Sequence, residues 1–175
     1  MPLSLSGLAA YLLLWAASVT GVATSSDALR RLPGAAWAKA PAHETLSLAG
    51  LGVALLHTAQ SIITAQGVRF GLLVFAGADT ASGWGLAAGV LALYLTAAVT
   101  VSFYLRGRLG AWWRAVHASA YLAYGAALWH ALAIGANAWL PPVRWLYLVT
   151  AAALAAATAL RLSEFVGRRL PAHSA

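Results

Sequence analysis

Cysteine is absent from all 175 residues. That excludes disulfides, thiolate metal sites, iron–sulfur clusters, cysteine nucleophiles and covalently attached c-type haem. Charge is nearly as scarce: Asp, Glu, Lys and Arg make up 9% of the chain, against about a quarter in an ordinary soluble domain. The four acids, Asp27, Glu44, Asp79 and Glu164, fall in loops or at the ends of apolar runs. They assemble no hydrolytic triad and supply no central carboxylate for an intramembrane proton path. Phosphate-binding loops, zinc-ligand spacings and the Gly-rich dinucleotide fingerprint are missing too. What fills the chain is apolar residue, 62% of it, with a mean hydropathy of +0.77. The composition predicts an all-α integral membrane protein, a single transmembrane domain over residues 1–175. Metal or redox chemistry in such a chain has to use histidine, carboxylates or a bound cofactor.

A bilayer core of about 30 Å needs about 20 apolar residues of helix. Four windows meet that length: Leu3 to Thr24, Trp84 to Leu105, Arg114 to Leu140, and Val143 to Leu160. A fifth, Ala42 to Gln66, is interrupted by His43, Glu44, His57 and Gln60 but is apolar elsewhere. The run from Val68 to Ala78 is too short to cross and reads as a surface or re-entrant segment. The expected architecture is a five-helix transmembrane bundle. Its first span lacks a basic n-region and is long for a signal-peptide core, so it reads as a span. Basic residues alternate in side. Arg30, Arg31, Lys39, Arg106, Arg108, Arg114, Arg161, Arg168 and Arg169 fall on one side, and only Arg69 and Arg144 on the other. Under the positive-inside rule the N-terminus is outside and the C-terminus cytoplasmic, in a multi-pass protein of the cytoplasmic membrane. The formal charge of +7 follows from those loops and needs no nucleic-acid partner. The Ala-rich run Thr150 to Ala159 suits helices that pack closely through small residues.

Four of the five histidines lie in two spans that run in the same direction. His43 and His57 are fourteen residues apart, about 21 Å along a helix; His117 and His130 are thirteen apart, about 19.5 Å. His43 and His117 both follow a basic loop closely, so they share one depth, and His57 and His130 share a second, farther out. Two imidazoles facing each other across a bundle make a bis-axial haem site, with no coordination position left open. Two such sites at two depths make an electron path across the membrane. Gly50 and Gly52 lie between the first pair and Gly125 between the second, where a macrocycle would need space against the backbone. The competing reading is a haem-free scaffold or transporter-like subunit whose histidines make interhelical hydrogen bonds. His43, just after Pro41 and beside Glu44, also reads as an interfacial residue. Glu44 would either tune His43 or cap the positive end of its helix. His173, in the polar tail, is not a ligand. One mismatch of phase stands out: thirteen residues leave a helix roughly 140° from its starting face. Tilt, bending near Gly125 or different rotamers are needed for His117 and His130 to address stacked haems.

These residues resemble a known family. The pairs His43-x13-His57 and His117-x12-His130 look like the ferric reductase-like transmembrane domain. That family includes ferric-chelate reductases, the membrane part of NADPH oxidases, and the haem subunit of a bacterial methionine-sulfoxide reductase system. The run Arg106-Gly-Arg-Leu-Gly-Ala-Trp-Trp-Arg-Ala-Val-His117, followed by Tyr121 and Trp129-His130, is similar to its motif of basic loop, Trp-Arg, two residues, His, aromatic Tyr and second His. The resemblance covers roughly Val19 to Gly135. It implies two b haems, the inner on His43 and His117 and the outer on His57 and His130. It also offers Arg106, Arg108 and Arg114 for propionates or donor docking, with positive-inside charge as the other reading of these arginines. Trp113, Tyr121 and Trp129 would pack on a macrocycle or serve as interfacial and core aromatics. Larger relatives carry a flavin and NADPH module, and no such site is evident in these residues. The expected partners are therefore a separate electron donor, a flavoprotein or quinol, and an outer-side acceptor.

Overall fold

The computed structural model describes residues 5–32, 40–64 and 81–168. The segment Val68 to Ala78, the charges of Lys39, Arg69, Asp79 and Arg169, and His173 lie outside the described residues. Eight helices follow in order: α1 (Leu5–Thr24), α2 (Asp27–Arg30), α3 (Ala40–Thr64), α4 (Ala81–Tyr104), α5 (Arg106–Leu109), α6 (Trp112–Ala118), α7 (Ala120–Ile134) and α8 (Pro141–Gly167). There is no strand among the described residues. α1, α3, α4 and α8 are long and apolar enough to cross a membrane. Their outward sides carry large exposed apolar residues, among them Leu55, Ile63, Trp84, Val101 and Val149. In water such a surface would be an aggregation hazard, whereas a bilayer covers it. The chain is an all-helical, multi-pass membrane protein.

The helices suit that solvent because many of their hydroxyls are satisfied internally. Ser18, Thr20, Ser47, Thr58, Ser61 and Ser102 each turn a hydroxyl back onto a carbonyl three or four residues earlier, so these donors are satisfied within their own helices. α8 opens on Pro141 and Pro142 after the extended Leu140, where a missing N–H costs nothing. Gly110, at φ 54°, supplies the left-handed turn between α5 and α6 that a side chain would disfavour.

The expected single span from Arg114 to Leu140 is instead two helices. α6 stops at Ala118, Ser119 adopts φ −64°, ψ −7°, and α7 runs on only to Ile134. The Ser119 amide reaches back to Val116 O, three residues rather than four, and its hydroxyl bonds the same carbonyl at 2.6 Å. A tighter 3₁₀-type step advances the helix phase by more than the usual 100° per residue. The helix is therefore interrupted at Ser119, and α7 runs unbroken through Gly125.

α1 packs chiefly on α3, and α4 on α7, each as an antiparallel hairpin; α8 leans across α1 and α7. The core between them is polar at its centre. The Tyr11 hydroxyl meets the Tyr124 hydroxyl at 2.6 Å and Thr150 Oγ1 at 2.8 Å, and Tyr147 stands edge-on to the Tyr11 ring. Trp15 Nε1 donates to Thr150 O at 2.9 Å. In a membrane, where apolar burial drives little helix association, such bonds and close packing fix neighbours. At one end of the bundle, Glu164 of α8 accepts bonds from Ser26 Oγ and from the amides of Asp27 and Ala28, which caps α2. Arg168 donates to Asp27 at 2.8 Å. Arg30, Arg31, Arg106, Arg108, Arg114, Arg161 and Arg168 gather at this end, and among the described residues Arg144 alone is at the other.

Candidate functional site: two facing histidine pairs

α3 and α6–α7 run parallel, each held against an antiparallel partner, and their histidines meet at two levels. The ring centroids of His43 and His117 are 6.0 Å apart with planes at 82°; those of His57 and His130 are 6.4 Å apart at 73°. The depth argument matched these same pairs. The break at Ser119 falls between His117 on α6 and His130 on α7.

Each ring is positioned by a neighbouring helix. His43 Nδ1 donates to Ala17 O of α1 at 2.8 Å, and His130 Nδ1 donates to Gly85 O of α4 at 2.9 Å. A carbonyl only accepts, so in each neutral imidazole the proton sits on Nδ1 and Nε2 keeps the lone pair. His57 Nδ1 shares a 3.2 Å hydrogen bond with Ser6 Oγ of α1. His117 differs: its Nδ1 is buried with no hydrogen-bond partner among the described residues, and the ring stacks on Trp113 at 5.1 Å and 26°. Trp113 Nε1 is likewise buried and unpartnered.

The arrangement fits bis-imidazole ligation. Imidazole–metal bonds of about 2 Å on a common axis put ring centroids about 6 Å apart, which is the separation of both pairs. Ligand histidines characteristically give their other N–H to a carbonyl, as His43 and His130 do. No third metal-ligating side chain joins either pair among the described residues, so the donor set suits a metal that brings its other ligands with it, as haem does. A gap of about 190 Å³ opens beside His57 and His130, lined also by Tyr11, Gly50, Gly89 and Tyr147. A second, of about 180 Å³, opens beside His43 and His117 and is bordered by Glu44, Ser47 and Phe103.

The other residues expected at the site are dispersed. Gly50 borders the outer gap, but a Cβ there would also touch Leu13 and Leu14 of α1 at 3.5–3.6 Å, so it serves α1–α3 packing as well. Gly52 and Gly125 are exposed, with open space where a Cβ would be. Trp129 is 58% exposed and points away from both gaps. Tyr121 is exposed and its hydroxyl accepts from Arg161 at 3.3 Å. Arg114, Arg106 and Arg108 are exposed, Arg106 lying over the Phe103 ring at 4.2 Å. Glu44 takes a bond from the Tyr104 hydroxyl at 3.1 Å rather than from His43. Sequence reasoning missed the residues that hold the rings: Ser6, Ala17, Gly21, Gly85 and Gly89. The small-residue spacings Ala17-x3-Gly21 and Gly85-x3-Gly89 were the visible signal, a mark of close approach between membrane helices.

No family model matches the chain, and no curated protein or solved structure matches it either.

Proposed function

We propose that this chain is a b-type cytochrome, similar to ferric reductase-like transmembrane domains, that carries electrons across a membrane through two bis-histidine haems. The observation that carries this reading is the pairing of four histidines at two levels with centroid separations of 6.0 and 6.4 Å. In this reading His43 and His117 hold the inner group and His57 and His130 the outer. Between two imidazoles haem iron exchanges single electrons and has no site for oxygen. In this reading the chain's own part is to orient the imidazoles: Ala17 O and Gly85 O hold His43 and His130 by Nδ1, Ser6 bonds His57, and Trp113 stacks on His117.

α6 and α7 together run from Trp112 to Ile134 and reach about 34 Å at 1.5 Å per residue, enough for a fifth span jointed at Ser119. With five spans, the arginine-rich end is cytoplasmic, the N-terminus outside and the C-terminus inside. A flavoprotein or quinol would then deliver electrons at the arginine-rich face, and an acceptor would take them outside.

A haem-free scaffold is the second reading, favoured by the three hydrogen bonds that His43, His57 and His130 already make between helices. Haem content and reduced-minus-oxidised spectra of the detergent-purified chain decide between them. About two b haems per chain support the cytochrome, falling to about one in His57→Ala or His130→Ala. A colourless protein after expression with ample haem leaves the scaffold, and full occupancy in either variant overturns the outer assignment.

A further inference from the structure

His43 and His130 are seated in the same way, on different helices and at opposite ends of the bundle. In each case a helical carbonyl accepts the Nδ1–H, and a glycine stands four residues later: Ala17 with Gly21 on α1, Gly85 with Gly89 on α4. The spacing has a steric reason. Every Cβ of a helix leans toward its N-terminus, so the side chain at i+4 covers the carbonyl of residue i. Glycine uncovers it. A Cβ at Gly21 would lie 2.9 Å from Cε1 of His43, and one at Gly89 would lie 2.7 Å from Cε1 of His130 and closer still to its Nδ1. Both distances are below those that real Cβ atoms show. The carbonyl's second lone pair takes the imidazole while the first stays in the helix ladder.

We infer that Ala17–Gly21 and Gly85–Gly89 are two copies of one device, a carbonyl notch that seats one histidine of each pair and presents its Nε2 to the metal. Each level thus has one seated imidazole, His43 or His130, and one held differently, His117 by the Trp113 stack and His57 by Ser6. Gly21 and Gly89 are positioning residues: they touch no metal and act through the ring. As metal seats they rest on the haem reading; as carbonyl notches they do not, and the experiment separates the two.

In the full-length detergent-purified chain, Gly89→Ala is expected to lose the outer haem and Gly21→Ala the inner one. Each would keep about half of the wild-type haem content, with different spectra and potentials remaining. Gly52→Ala, whose Cβ meets nothing within 4 Å, should match the wild type. Full haem with unchanged spectra in Gly21→Ala or in Gly89→Ala overturns the inference, and so does loss of both haems from a monodisperse Gly89→Ala. A second measurement needs neither a glycine variant nor haem. The ¹⁵N shifts of labelled imidazoles in the haem-free wild type, assigned by loss in His43→Gln and His130→Gln, should report the Nδ1–H tautomer at both. An Nε2–H tautomer at either overturns the seat. If the wild type takes up no haem the cytochrome reading fails, and the tautomers alone then decide the notches. They decide them also if the glycine variants do not fold.

Discussion

Three helices converge on Tyr11, which bonds Tyr124 of α7 and Thr150 of α8 from its place on α1. Tyr11→Phe removes both bonds while keeping the ring's edge-on contact with Tyr147. The expected cost is about 1–2 kcal/mol, since interhelical hydrogen bonds in membranes are individually modest. Thermal unfolding in detergent should show it. At this scale the sequence was legible where a side chain was out of place in its surroundings. Four imidazoles in apolar helices announce themselves, and helical rise sorts them into levels. Their supports did not, because Ala17 and Gly85 contribute backbone carbonyls, which every residue has. Tyr11, Tyr124 and Thr150 look like ordinary membrane-helix residues until three helices bring them together.

Among the elements, the joint at Ser119 decides whether both histidine levels can form. Inserting one alanine directly after Ser119 would turn α7 by about 100° relative to α6. It should carry His130 away from His57 and Gly85 while leaving His117 opposite His43. The expected result is a chain with the inner haem alone, read from haem stoichiometry and from a single reductive wave in a potentiometric titration. Four of the long helices were legible from hydropathy to within a few residues at most ends, since length and apolarity are what the bilayer selects. The joint was legible only as a need. Thirteen residues between His117 and His130 put the two out of phase, and tilt, bending near Gly125 or different rotamers were the expected remedies. The helix is interrupted instead where a serine hydroxyl competes for a carbonyl, a choice between local hydrogen bonds that composition does not reveal.

Across the whole molecule, charge is gathered at one end, where a small clamp of Asp27, Arg30, Arg168 and Glu164 ties α2 to the end of α8. The hydrogen bond from Arg30, and then the charges of Arg168 and Arg31, hold the Asp27 carboxyl below the usual range. A carboxyl depressed in the folded state contributes stability above its unfolded pKa, and loses it as pH falls through the folded value. These groups are exposed, so the effect belongs to local opening rather than to global unfolding. Hydrogen exchange at the Arg30 and Arg31 amides, corrected for intrinsic rates, should therefore lose protection below the ordinary carboxylate range. Asp27→Asn should flatten that dependence. The pairing of α1 with α3 and of α4 with α7 also bears on biogenesis. Each hairpin contributes one histidine to each level, so neither half holds a complete site. The first hairpin to leave the ribosome would wait in the bilayer with two oriented but unmatched imidazoles. Cofactor loading in the proposed cytochrome is then a late event, and the loaded groups act as rivets between halves whose own mutual contacts are sparser than those within each.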